Sequence, residues 1–125
     1  MFSVLNNSCI YKCFARAETG MGFWTLDNVQ LAEFRPGIKS KVEIGNDLIM
    51  ACMEIGPGQE DAGHEHDFDQ CGLVLDGQME MFIGQEQKKL GPGDAYFIPA
   101  GQRHGYKTLD QPAKVLDVSL KAPRS

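Results

Sequence analysis

Turn-forming residues interrupt this chain so often that no helical period of useful length develops between them. Pro36-Gly37, Gly45-Asn46-Asp47, Gly56-Pro57-Gly58, Asp76-Gly77, Gly84, Gly91-Pro92-Gly93 and Pro99-Ala100-Gly101 each mark a break. Proline fixes φ and lacks a donor, and glycine supplies the positive φ that tight turns need. The segments between them, residues 29–34, 38–44, 48–55, 71–75, 78–83, 88–90, 95–98, 104–108 and 113–120, read as strands. Short strands with a turn signal every eight to twelve residues or so imply an all-β sandwich or barrel. Asp76-Gly77 reads as a tight hairpin turn. Residues 48–55 and 71–75 are apolar on both faces, which places them at the centre of a sheet or at an interface.

A chain of 125 residues makes one domain. Residues 1–25 show no period and read as an N-terminal extension, with the barrel domain over residues 26–125. The net charge of -5 argues against nucleic acid or an anionic membrane as partner, since both attract basic proteins. No apolar run is long enough to span a membrane, and the N-terminus lacks the basic residues of a signal peptide. Cys52 and Cys71 lie in strands among apolar neighbours, as buried free thiols do. Cys9 and Cys13 have no second Cys or His pair beside them, so a zinc knuckle is not expected. Reduced thiols place the protein in the cytoplasm.

All three histidines fall in one stretch, Gly58 to His104. His64 and His66 form H-x-H, and side chains at i and i+2 of a strand share a face, so both imidazoles aim at one point. Imidazole is the commonest metal ligand. The first segment runs Gly58-x5-His64-x-His66-x3-Gln70-x6-Gly77, and the second runs Gly93-x5-Pro99-x-Gly101-x2-His104. Asp67 and Asp69 read as solvated loop charges.

These two spacings in register closely resemble the two motifs of the cupin superfamily, over residues 37–120. The resemblance implies a small antiparallel double-sheet barrel of the jelly-roll kind. It also implies one divalent metal ion (Zn, Ni, Fe, Mn or Co) held by His64, His66, Gln70 and His104. Gln70 stands where the family usually has glutamate, and Thr108 where an asparagine often follows the last histidine. Three imidazoles and an amide are neutral, so the ion keeps its charge and attracts anions. That favours isomerase, lyase or hydrolytic chemistry, or plain anion binding, over oxygenation.

Within the superfamily, residues 58–70 and 91–99 look like the pectin-degradation cupins, which linearise unsaturated uronates. The likeness extends to Leu116-Asp117-Val118, although Ser119 replaces an aromatic residue and Arg124 comes one position late. It implies a small carboxylate substrate, a 4,5-unsaturated sugar acid, opened to a linear keto acid. Asp117 would then be the general acid/base, with Arg103, Arg124 and Tyr96 binding substrate. Val115, Asp117 and Ser119 alternate with Leu116, Val118 and Leu120, so Asp117 faces either the cavity or solvent. The family commonly dimerises, and the strands apolar on both faces fit a homodimer. A metal dioxygenase or lyase, or a non-catalytic sensor, are the alternative readings.

Overall fold

A computed structural model describes residues 22–121 as ten strands in two antiparallel sheets, with no helix among the described residues. In chain order these are β1 (Ala32–Arg35), β2 (Ile38–Ile44), β3 (Leu48–Ile55), β4 (Glu60–His64), β5 (Gln70–Gly77), β6 (Met79–Ile83), β7 (Glu86–Leu90), β8 (Ala95–Ile98), β9 (His104–Lys107) and β10 (Ala113–Leu120). One sheet has the order β1-β2-β3-β10-β5-β8 and the other β4-β9-β6-β7. This is the all-β jelly-roll barrel that the turn spacing and the resemblance imply. Cys52 and Cys71 are free thiols, as expected. Residues 1–21, including Cys9 and Cys13, and residues 122–125, including Arg124, lie outside the described residues.

Three elements differ from the sequence reading. The first strand starts at Ala32 and not at Val29. Asn28 Oδ1 accepts from Thr25 N, and Val29 N donates to Thr25 O, so this stretch is spent on a local turn. Residues 60–64, left out of the strands in the sequence reading, form β4. Asp76-Gly77 is not a hairpin, because β5 and β6 belong to different sheets. Gly77 instead makes a corner, with φ at 76° and the Pro112 carbonyl pressed against the place where a Cβ would stand. Close backbone approach, rather than hairpin twist, demands glycine there.

The core lies between the sheets, where Ile38, Ile49, Met53, Ile55, Val74, Met79, Met81, Ile98 and Val115 are buried. Alternation along β10 puts Ala113, Val115, Asp117 and Ser119 on the buried face. β10 is hydrogen-bonded on both sides, to β3 and to β5, which holds its backbone firmly.

Register then writes one row across this inner face. Ala51 lies opposite Asp117, Asp117 opposite Gly72, and Gly72 opposite Tyr96. Gly72 leaves a gap in the row. The Tyr96 ring lies across that gap and its hydroxyl reaches Asp117, two strands away, at 2.5 Å. A Cβ on Gly72 would collide with the Tyr96 hydroxyl oxygen and stand 2.7 Å from the Leu116 carbonyl. Gly72→Ala is therefore expected to push Tyr96 off Asp117 and to destabilise the barrel by about 2 kcal/mol through overpacking and a lost buried hydrogen bond. Thermal denaturation should show a fall in Tm of roughly 8 °C. An unchanged Tm would mean that this row tolerates a methyl group.

Candidate metal centre and its carboxylate

The two histidine motifs meet because β4 and β9 are neighbours, and His64 lies directly opposite His104. Their ring centroids are 4.4 Å apart. His66 follows the end of β4 and is placed by the loop, not by strand alternation. Its ring stacks on Phe68 at 3.9 Å and 3°, and its Nδ1 lies 2.9 Å from the Phe68 carbonyl. One ligand atom from each of His64, His66 and His104 can lie within 4.8 Å of the others.

Acceptors behind the rings set which nitrogen turns inward. A carbonyl only accepts, so His66 Nδ1 donates to Phe68 and His104 Nδ1 donates to the Gln102 carbonyl at 2.9 Å. His64 Nδ1 lies 3.2 Å from Asp61 Oδ2. With Nδ1 committed to a carbonyl, His66 and His104 each have Nε2 left for the centre, in the arrangement that metal-binding histidines share. Burial drives the His104 pKa down to about 4, against the pull of the Gln102 carbonyl, so this ring is neutral and keeps a lone pair at neutral pH.

Gln70, the first residue of β5, is buried and completes the group. Its Oε1 lies 2.8 Å from His66 Nε2. With Nδ1 protonated, that contact sets two lone pairs face to face. Such a pair needs a proton or a shared cation, and two adjacent ligands of one ion stand roughly 3 Å apart at ordinary metal–ligand distances. His64 Nε2 is buried without a hydrogen-bond partner among the described residues. Converging imidazole nitrogens, one orphaned nitrogen and an opposed oxygen fit a divalent cation.

Behind this group stands Asp117, 2% exposed and on the inner face of β10. Its Oδ2 accepts from Gln70 Nε2 at 2.8 Å and from the Tyr96 hydroxyl at 2.5 Å. Its Oδ1 makes no hydrogen bond with the described residues. Burial pushes the Asp117 carboxyl up to about 7, while the bonds from Tyr96 and Gln70 pull it down. Burial, and then the neighbouring Asp117 charge, push the Tyr96 hydroxyl well above its ordinary value, so it stays protonated and donates.

The remaining candidates separate. Tyr96 donates its hydroxyl to Asp117, and the residue helps line a cleft of about 280 Å³ bordered by β6, β7 and β8. Arg103 is exposed, its guanidinium 2.7 Å from where a Cβ on Gly63 would stand, and it is not brought to the imidazoles. Asp67 and Asp69 are exposed, and Asp69 Oδ1 accepts from Ala100 N at 2.9 Å, tying the loop before β5 to the turn before β9.

Asp61 is the site residue that the sequence reading missed. It lies three positions before His64, and strict alternation would put the two on opposite faces. A bulge between Asp61 and His64 shifts the register. Gly63, at φ 135°, permits it, and its N–H donates to Asp61 Oδ1 at 2.8 Å. The charge count changes with it. Two buried carboxyl groups, Asp61 and Asp117, stand one contact behind the inward donors, where negative charge offsets that of an ion.

Comparison with known proteins gives a consistent picture. The cupin domain model matches residues 51–119, more than half of the chain. The pectin degradation protein KdgF of Dickeya dadantii is 32% identical over 93 residues, covering 73% of this chain and 84% of that protein. The structure of KdgF from Halomonas sp. superposes with a TM-score of 0.71 at 29% identity, over 85% of this chain and 96% of that one. Dimethylsulfoniopropionate lyase DddQ of Ruegeria pomeroyi is 35% identical over 54 residues, covering 42% of this chain and 27% of that protein. With its two sheets, its paired histidine motifs and this domain match, the chain belongs to the cupin family and resembles its pectin-degradation members.

Proposed function

We propose that this protein is a metal-dependent isomerase that opens a 4,5-unsaturated uronate to its linear keto acid. The observation that carries the reading is Asp117, buried beside Gln70 with Oδ1 uncommitted, in a chain similar to KdgF over most of its length. His64, His66, Gln70 and His104 hold the ion, one of Zn, Ni, Fe, Mn or Co. When bound, the ion supplies positive charge for the substrate carboxylate or a ring oxygen. The reaction rearranges atoms without adding any. The hemiacetal hydroxyl loses a proton as the ring C–O bond breaks, and the resulting enolate gains one at C4 to become a ketone. One group that takes a proton and gives one back suffices, and Asp117 Oδ1 is that group. With a carboxyl near 7 it exchanges protons at neutral pH. Tyr96 and Gln70 hold Oδ2 and leave Oδ1 to face substrate. The resemblance offers Arg124, outside the described residues, or Arg103 as the carboxylate partner.

A cupin lyase is the second reading, favoured by the partial match to DddQ. Both chemistries use a proton-exchanging group beside a cation, so substrate decides between them. We also assign a homodimer. Leu48 and Leu120 are cross-strand neighbours, 54% and 44% exposed on the outer face of the larger sheet, and Phe97 is 61% exposed. The free thiols of Cys52 and Cys71 fit a cytoplasmic setting.

Elemental analysis of purified protein should find one divalent ion per chain, and His64→Ala, His66→Ala and His104→Ala should each lose most of it. Full occupancy in two of the three would remove the metal assignment. Incubation with an unsaturated uronate should bleach the ultraviolet absorbance of its C4–C5 double bond. Asp117→Asn should keep ion and fold but lose at least about a hundredfold in turnover, the scale of a positioned acid/base. Wild-type turnover in that variant would clear Asp117 of the role. Release of dimethyl sulfide from dimethylsulfoniopropionate, without uronate turnover, would favour the lyase. Light scattering at micromolar concentration should give twice the chain mass of 13.8 kDa, and a monomer would rule out the dimer.

A further inference from the structure

We propose that the amide at 70 and the carboxylate at 117 are a matched donor–acceptor pair, held in one direction by Tyr96, and that this pairing selects Oε1 of Gln70 as the atom that faces the metal. The last clause rests on the metal reading above. The pairing itself does not.

An amide has two unlike ends. Its oxygen can ligate a cation, whereas its NH2 group only donates hydrogen bonds. Nothing in an isolated glutamine decides which end points inward. Here the decision comes from Asp117. Oδ2 is an acceptor, and it lies 2.8 Å from Gln70 Nε2, so the NH2 end faces it and Oε1 turns to the His66 side. Oδ2 is itself pinned. The Tyr96 hydroxyl donates to the same oxygen at 2.5 Å, across the gap at Gly72. Both bonds end on one atom, so any rotation of the Asp117 carboxylate short of a half-turn, which exchanges its two equivalent oxygens, would break both. Tyr96 thereby positions Asp117, and Asp117 positions Gln70.

The pairing also explains the residue type at 70. An ionised glutamate there would set a carboxylate oxygen 2.8 Å from Asp117 Oδ2 with no hydrogen between them. Two buried acceptors at that distance repel, and the single Tyr96 hydroxyl cannot serve both. An ionised glutamate is compatible only when position 117 becomes a donor. The chain thus admits Gln with Asp, or Glu with Asn, whereas Glu with Asp requires a proton held between the two carboxyls. A side chain chosen only for its own contact with the ion would carry no such condition.

The test is an exchange of donor and acceptor. Gln70→Glu, Asp117→Asn and the double variant are melted as metal-free proteins in chelator, in mildly alkaline buffer, above the Asp117 value of about 7. Gln70→Glu alone should lower Tm by about 5 °C or more, the size of one lost buried hydrogen bond. Asp117→Asn alone should change Tm little, because its amide oxygen still accepts from Gln70 and Tyr96. The double variant should regain most of the loss, because the asparagine NH2 at 117 then donates to the carboxylate at 70. Cobalt(II) titration reads the consequence for the ion. Asp117→Leu, which accepts nothing, should bind cobalt(II) about tenfold more weakly, as loss of a partner behind a ligand does. Asp117→Asn should bind within about threefold of wild type by the same scale. Additive melting effects in the double variant would overturn the pairing. Wild-type cobalt affinity in Asp117→Leu would overturn the selection of Oε1. A wild-type protein that takes up no cobalt would sink that selection together with the metal reading, while the metal-free melts would still decide the pairing.

Discussion

Antiparallel register between β4 and β9 sets His64 opposite His104, and the polar centre of this barrel depends on that single pairing. A strand pair fixes which residues are neighbours to within a residue, because a slip of one turns every side chain to the other face. The bulge at Gly63 is what makes the pairing productive, because it brings both Asp61 and His64 to the inner side. His66 then needs only a short loop and a stacked Phe68 to bring its ring centroid within 4.8 Å of that of His104. Position at this site is thus a property of the backbone ladder first and of side-chain chemistry second.

The boundaries of β2, β3, β8 and β10 were legible because alternation and turn chemistry act locally, whereas β4 was not read as a strand. The histidine convergence was legible because motif spacing encodes strand neighbours. What stayed hidden was whatever depends on departures from regular geometry. Asp61 was hidden by a bulge that inverts the parity of the strand. The corner at Gly77 was hidden because Asp-Gly reads the same whether the next strand returns to its own sheet or crosses to the other. The contact of Tyr96 with Asp117 was hidden too, since nothing along the chain says that Gly72 opens a path beneath its ring. The face of β10 was undecided in sequence because its alternate positions suit two orientations, and only pairing on both sides puts Asp117 inside.

Register also divides the inner face of the larger sheet by chemistry. One end carries rows such as Ile38, Ile55 and Ala113, then Met53, Val115 and Val74, all buried and apolar apart from Ser40. The other end carries Asp117 and Tyr96, then Ser119 and Gln70, beside Ile49 and Ile98. The apolar rows bury surface at roughly 25 cal/mol per Å² and need no partners to do so. The polar rows must find a donor for every acceptor, or they cost more than they contribute.

That division bears on why a small barrel tolerates two buried carboxylates. Each is destabilising by itself, since burial disfavours charge, and the raised carboxyl of Asp117 is the visible sign. Donors offset part of that cost: Gln70 and Tyr96 for Asp117, the Gly63 amide for Asp61. A cation held by the imidazoles would offset more of it, because both carboxylates contact residues of the group, Asp61 at His64 and Asp117 at Gln70. Folding alone would be served better by apolar residues of similar volume at these positions. Polar groups concentrated at one end of an otherwise apolar interior are the pattern expected where stability has been given up for a site that acts on something else.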